Sequence, residues 1–152
     1  MPRVHHVKKA RKDNPAVKAG QPYYWWEFRY GGKRYSATFP KASQLTQSAF
    51  LGQVYDLNDR IAALEVETPE DLESELEDIA SEFNELGQEC QGNLDNMPEA
   101  LQDSSSSGEM LQERISACED VASQLEEISC QASDGELEDL LEQARQIQYE
   151  GY

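Results

Sequence analysis

No run of about eighteen apolar residues, the length a helix needs to cross a bilayer, occurs anywhere in the chain. The N-terminus is basic but lacks the apolar stretch of a secretory signal. A soluble, cytoplasmic protein with no membrane partner is expected. Cysteine is scarce: Cys90, Cys118 and Cys130 form an odd set without C-x-x-C spacing, each on or beside an apolar helical stripe, so buried, reduced thiols are expected. The only histidines, His5 and His6, lie far from them in sequence, which leaves a zinc site without ligands. Also missing are a Gly-rich phosphate loop, an H-E-x-x-H helix, a calcium-loop spacing and a Ser/His/Asp set outside the N-terminal arm. Carboxylates are so many that pairs such as Glu73 and Glu77, or Glu82 and Glu89, arise by chance. Catalysis needs a perturbed carboxylate in a pocket, and these fall on solvated faces. The expectation is a non-enzymatic protein with no cofactor and no small-molecule substrate.

Bases are nearly absent from the C-terminal two-thirds. Residues 51–152 hold Arg60, Arg114 and Arg145 against twenty-eight acids, whereas residues 1–50 hold ten Lys and Arg against only Asp13 and Glu27. The net charge of −17 therefore conceals a basic segment and an acidic one. A basic segment attracts phosphate and an acidic one repels it, so two surfaces with different partners are implied, unless the halves neutralise each other within or between chains. Hydrophobic residues, at 38% of 152, are few. One modest core with appendages is expected, helped by a protein partner or by self-association.

Residues 1–22 combine six bases with three prolines and a glycine, and read as an extended arm that orders only against a partner or the acidic half. In residues 23–41, Gly31-Gly32 separates two runs rich in Tyr, Trp, Phe and Arg, the pattern of a two-residue hairpin turn. With Tyr30 opposite Lys33, Tyr24, Trp26, Phe28, Tyr30, Tyr35 and Phe39 share one face. Tyr23, Trp25, Glu27, Arg29, Arg34, Ser36 and Thr38 share the other. Tyr24, Trp26, Phe28, Tyr35 and Phe39 should be more buried than Tyr23, Trp25, Arg29 and Arg34.

Beyond residue 42 the period lengthens. Phe50, Val54, Leu57, Ile61 and Leu64 mark a first helix over about 43–64, and Thr68-Pro69-Glu70-Asp71 starts a second. The second carries Leu72, Leu76, Ile79, Phe83, Leu86 and Cys90, prolonged past a break at Asn96-Met97-Pro98 through Leu101, so residues 42–102 form an acidic helical hairpin. Asp103 to Gly108 reads as a Ser-rich linker, with Ser106 and Glu109 as a capping box. Residues 109–152 then hold a third helix and a fourth, the latter capped by Ser133 with Glu136. The fold class is mainly α with a small β-hairpin: a basic arm and a two-stranded hairpin, followed by three to four amphipathic helices in antiparallel or coiled-coil packing.

Bases interleaved with aromatics suit nucleic acid, phosphates being paired by the charges and a strand ribbon entering a groove or stacking on bases. The candidate contacts are Arg3, Lys8, Lys9, Arg11, Lys12, Trp25, Arg29, Lys33 and Arg34. The candidate protein interface is the seam of Leu72, Leu76, Ile79, Phe83 and Leu86. The string Tyr24-Trp25-Trp26-Glu27-Phe28-Arg29-Tyr30-Gly31-Gly32-Lys33-Arg34-Tyr35-Ser36 resembles the sheet of the arm-type DNA-binding domains of phage tyrosine recombinases. That likeness implies DNA contact by Arg29, Lys33 and Arg34, and the overall make-up resembles small uncharacterised bacteriophage proteins. The functional expectation is a phage-type interaction protein: nucleic acid or an acidic partner on the basic half, protein or a second copy on the helices, in the host cytoplasm or the virion. The alternative is a DNA-mimic inhibitor, the acidic helices imitating a phosphate backbone before a host DNA-binding enzyme.

Overall fold

The computed structural model describes residues 1–151. Among these the elements run β1 (His5–Val7), β2 (Tyr23–Phe28), β3 (Gly32–Ser36), a 3-10 turn (Ala42–Leu45), α1 (Ala49–Ala62), α2 (Pro69–Asp95), α3 (Glu99–Gln102), α4 (Ser106–Gln131) and α5 (Leu137–Arg145). The protein is mainly helical, with one small antiparallel sheet in the order β1-β2-β3. It divides into two compact units, Met1–Asp56 and Leu57–Tyr152. The division falls inside α1, not at the end of the hairpin: Val54 is buried in the first unit, while Leu57 and Ile61 are buried in the second.

In the first unit, residues 1–22 are not a free arm. His5–Val7 pairs with Tyr23–Trp25, and the intervening chain doubles back on itself. Ala10 N–H donates to the Gln21 carbonyl at 2.9 Å, and Gly20 N–H returns to the Ala10 carbonyl at 2.8 Å. Gly20 takes φ 93°, a conformation glycine adopts without steric cost. The Asn14 side chain accepts from the backbone of Ala16 and Val17, and Asp13 accepts from Ala19. Short polar side chains and a glycine therefore fold this loop locally, and Ala10 ends up buried.

The second unit is built on α2 and α4. Thr68 caps α2 by accepting from Asp71 N–H at 3.2 Å, with Pro69 in the first turn and Glu70 and Asp71 over the positive end of the dipole. The helix stops at Asp95, and Pro98 cannot extend it. Leu72, Leu76, Ile79, Phe83 and Leu86 are all buried along α2, and Cys118, Val121, Ala122, Leu125 and Ile128 are buried along α4. The two helices run antiparallel: Asn84 meets Glu126, and three residues further along α2, Gly87 meets Cys118. A Cβ on Gly87 would stand 3.4 Å from that of Cys118, an ordinary van der Waals contact, so the helices lie close here. From the other end of the chain, Arg145 donates to the Leu64 carbonyl at 2.8 Å, and Tyr149 N–H donates to Asn58 Oδ1 at 2.9 Å.

Local boundaries depart from the periodicity in three places. The first helix is interrupted: Thr46 and Ser48 side chains accept from the backbone of Ser48 and Leu51, which separates the 3-10 turn from α1. α4 starts three residues earlier than a linker through Gly108 allows, because Ser105, not Ser106, accepts from Gly108 N–H at 3.0 Å. α5 begins after Glu136 with no side-chain cap, so Ser133 plays no such part.

Candidate nucleic-acid interface

The hairpin register sets the geometry of the basic unit. Tyr24 pairs with Ser36, Trp25 with Tyr35, Trp26 with Arg34, Glu27 with Lys33, and Phe28 with Gly32. Arg29, Tyr30 and Gly31 therefore form a three-residue loop where a two-residue turn was expected. Only Gly32 takes a positive φ, of 74°. Gly31 serves another purpose: a Cβ there would lie 2.0 Å from the Gln47 side chain, so the first glycine provides space. Relative to the expected pairing, β3 has slipped by an odd number of residues, and an odd slip exchanges its two faces.

The exchange moves Tyr35 onto the face of Tyr23 and Trp25, and Arg34 onto that of Trp26. Trp26 is 2% exposed while Tyr35 is 37% exposed and Phe39, expected inside, is 64% exposed. Trp26, Phe28, Arg34 and part of Tyr35 border a groove of about 430 Å³ that Ser43, Gln44, Thr46 and Gln47 complete, so polar residues line much of the groove beside the expected aromatic face. The Trp26 indole N–H is buried without a hydrogen-bond partner among the described residues.

The opposite face is open and ringed. His5 pairs with Trp25 and lies parallel to it, 4.2 Å between centroids at 13°. Tyr23 and Tyr35 approach to 6.2 Å, and the Lys33 ammonium sits 5.0 Å from the Trp25 ring. The three candidate bases of the hairpin thus separate: Lys33 on the open face, Arg34 6.0 Å from Phe28 on the other, and Arg29 in the loop against Tyr30. All three are exposed. Arg3, Lys8, Lys9, Arg11 and Lys12 are exposed too, on either side of β1 and in the loop after it. Sequence reasoning missed His5, His6 and Tyr35. His6 stacks on Tyr24 at 4.6 Å. The signal available was Val4-His5-His6-Val7, two β-branched residues around two rings in an otherwise polar stretch.

In the acidic unit, Arg60 bridges Glu75 and Glu82 of α2 at 3.0 Å each. Hydrogen bonding to Glu75 is the chief reason its guanidinium is held above the usual value. Burial pushes the Cys118 thiol up to about 12 and raises that of Cys90. Both stay protonated and poorly nucleophilic. Cys130, expected buried, is exposed beside Ser129 in the last turn of α4. Burial also pushes the Tyr149 phenol, stacked on Phe83 at 6.4 Å, up to about 12. Among the described residues, no three His, Cys, Asp or Glu side chains are grouped to hold a metal ion, and no helix is long and apolar enough to cross a membrane.

No protein-family model, no curated protein and no solved structure matches the chain.

Proposed function

We propose that this is a non-enzymatic interaction protein whose N-terminal unit binds nucleic acid and whose helical unit presents a carboxylate surface to a basic protein partner. The supporting observation is that the charge division follows the structural one. Residues 1–56 carry ten of the thirteen Lys and Arg against three acids; residues 57–152 carry twenty-seven acids against three bases. Each unit therefore has its own field, one attractive and one repulsive to phosphate. The likeness of residues 23–39 to recombinase arm domains is in keeping with the first assignment. The partner of the second unit meets charge, because Leu72, Leu76, Ile79, Phe83 and Leu86 are already buried within the chain.

The acidic unit also supports a second reading, as a mimic of the DNA backbone. α2 has 27 residues, roughly 40 Å at the usual rise, with Glu73, Glu77, Asp78, Glu82, Glu85 and Glu89 turned to solvent. Titrating labelled DNA with the full chain over a range of salt separates the two. Nucleic-acid binding gives affinity that falls steeply with salt, whereas a mimic leaves DNA unbound and blocks a DNA-binding enzyme instead.

A further inference from the structure

We infer that the open face of the sheet binds single-stranded nucleic acid, its bases stacking along the cross-strand row His5, Trp25 and Tyr35; this rests on the nucleic-acid reading of the basic unit and specifies its substrate. The row follows from the two registers, which place one ring from each strand side by side. Trp25 and Trp26 are adjacent, yet Trp26 is inside and Trp25 is partly open, and Tyr35 and Lys33 beside it are exposed. His5, Tyr23 and Trp25 are half-buried and Tyr35 is exposed, so the four rings of this face keep part of their surface open to a base, and every base has a π-face. The His5–Trp25 pair already has the parallel geometry of such a stack. Lys33 covers the indole as a flexible ammonium; a base can displace it while it stays close enough to pair with phosphate.

The same geometry opposes duplex groove reading. A major groove admits a helix or a two-stranded ribbon. Here β1 lies along one edge, so the sheet is three strands wide rather than a two-stranded ribbon, and Gln47 lies against Gly31 at the loop. Unpaired bases, by contrast, are free to splay onto a flat sheet. Lys8 and Lys9, directly after β1, are exposed and add positive charge to this unit.

The test titrates the full chain, at low salt, with labelled oligo-dT and oligo-U of about 15 nucleotides and with a duplex of the same length. The expected result is single-strand binding at least about tenfold tighter than duplex binding, with quenching of tryptophan fluorescence, and a loss of roughly tenfold or more for Trp25→Ala and for Tyr35→Ala. Tyr35 is exposed, and Trp25→Phe keeps a ring, so this pair carries the test if Trp25→Ala fails to fold: Tyr35→Ala should bind weakly and Trp25→Phe nearly normally. Duplex bound as tightly as single strand, or Tyr35→Ala and Trp25→Ala both folded and unimpaired, overturns the stacking face but leaves nucleic-acid binding standing. Binding to none of the three probes overturns both.

Discussion

The two units reach order by different means. In the helical unit, Phe83, Leu72, Leu76, Ile79 and Leu125 are fully buried along two long helices joined by residues 96–105, so stability is pooled in one seam. In the sheet unit, neighbouring strands pair and the turns are tied by Asp13, Asn14, Gly20 and Gly32, so order is local and much aromatic surface stays outside. A region that buries its apolar side chains offers charge to a partner, whereas one that leaves rings exposed among bases offers both stacking and charge. Substitutions should therefore divide cleanly between loss of fold in one unit and loss of binding in the other.

The largest effect is expected at Phe83. Phe83→Ala should cost about 3–5 kcal/mol in urea unfolding and leave nucleic-acid affinity unchanged in the folded fraction; a loss below about 1 kcal/mol would mean the seam is not closed. Gly108→Ala comes next, because the new Cβ would lie 2.2 Å from the Gln102 carbonyl oxygen. The turn before α4 must shift, at about 1–3 kcal/mol, and an unchanged melting temperature would refute that packing.

Alkaline pH should destabilise the helical unit. The Cys118 thiol and the Tyr149 phenol rise from 9.0 and 10.0 to about 12 through burial. Between pH 9 and 12 the unfolded chain loses these protons first, so stability is complete below pH 9 and declines through that window. Urea midpoints at about pH 8 and about pH 11 measure the decline, and Tyr149→Phe should make it shallower. A slope identical to the parent's would place that phenol in water. The smallest effect is expected at Arg60, whose two ion pairs lie at a surface site 37% exposed. Arg60→Gln should cost no more than about 1 kcal/mol, and less in high salt.

Much of this was legible in the sequence, unevenly. The α2 stripe and its Thr68 cap follow from a long, regular period and side-chain chemistry that acts within four residues. The helix breaks at Thr46 and Pro98 were only half visible, since a hydroxyl capping its neighbour resembles any other serine or threonine in a periodic pattern. The hairpin was visible but its register was not. Gly31-Gly32 fits a two-residue turn and a three-residue loop equally well, so the two glycines alone do not set the register. The register determines whether Tyr35 or Arg34 stands beside Trp25. The β1 pairing was missed because three short residues among prolines and bases carry little propensity, and the stacking of His5 and His6 on Trp25 and Tyr24 becomes apparent only once the strands are paired.

The claim that the sheet unit alone carries nucleic-acid binding is tested most directly by changing Arg29, Lys33 and Arg34 together to Gln and measuring DNA affinity against salt alongside thermal unfolding. Binding should weaken steeply with salt in the parent, affinity should be markedly lower and the salt slope shallower by at least about one in the triple variant, and the melting temperature should be the same in both. A triple variant that binds DNA as the parent does, or one that loses stability while the parent never bound DNA, would contradict it; the second result would mean that these bases are neutralised inside the protein by its own acids.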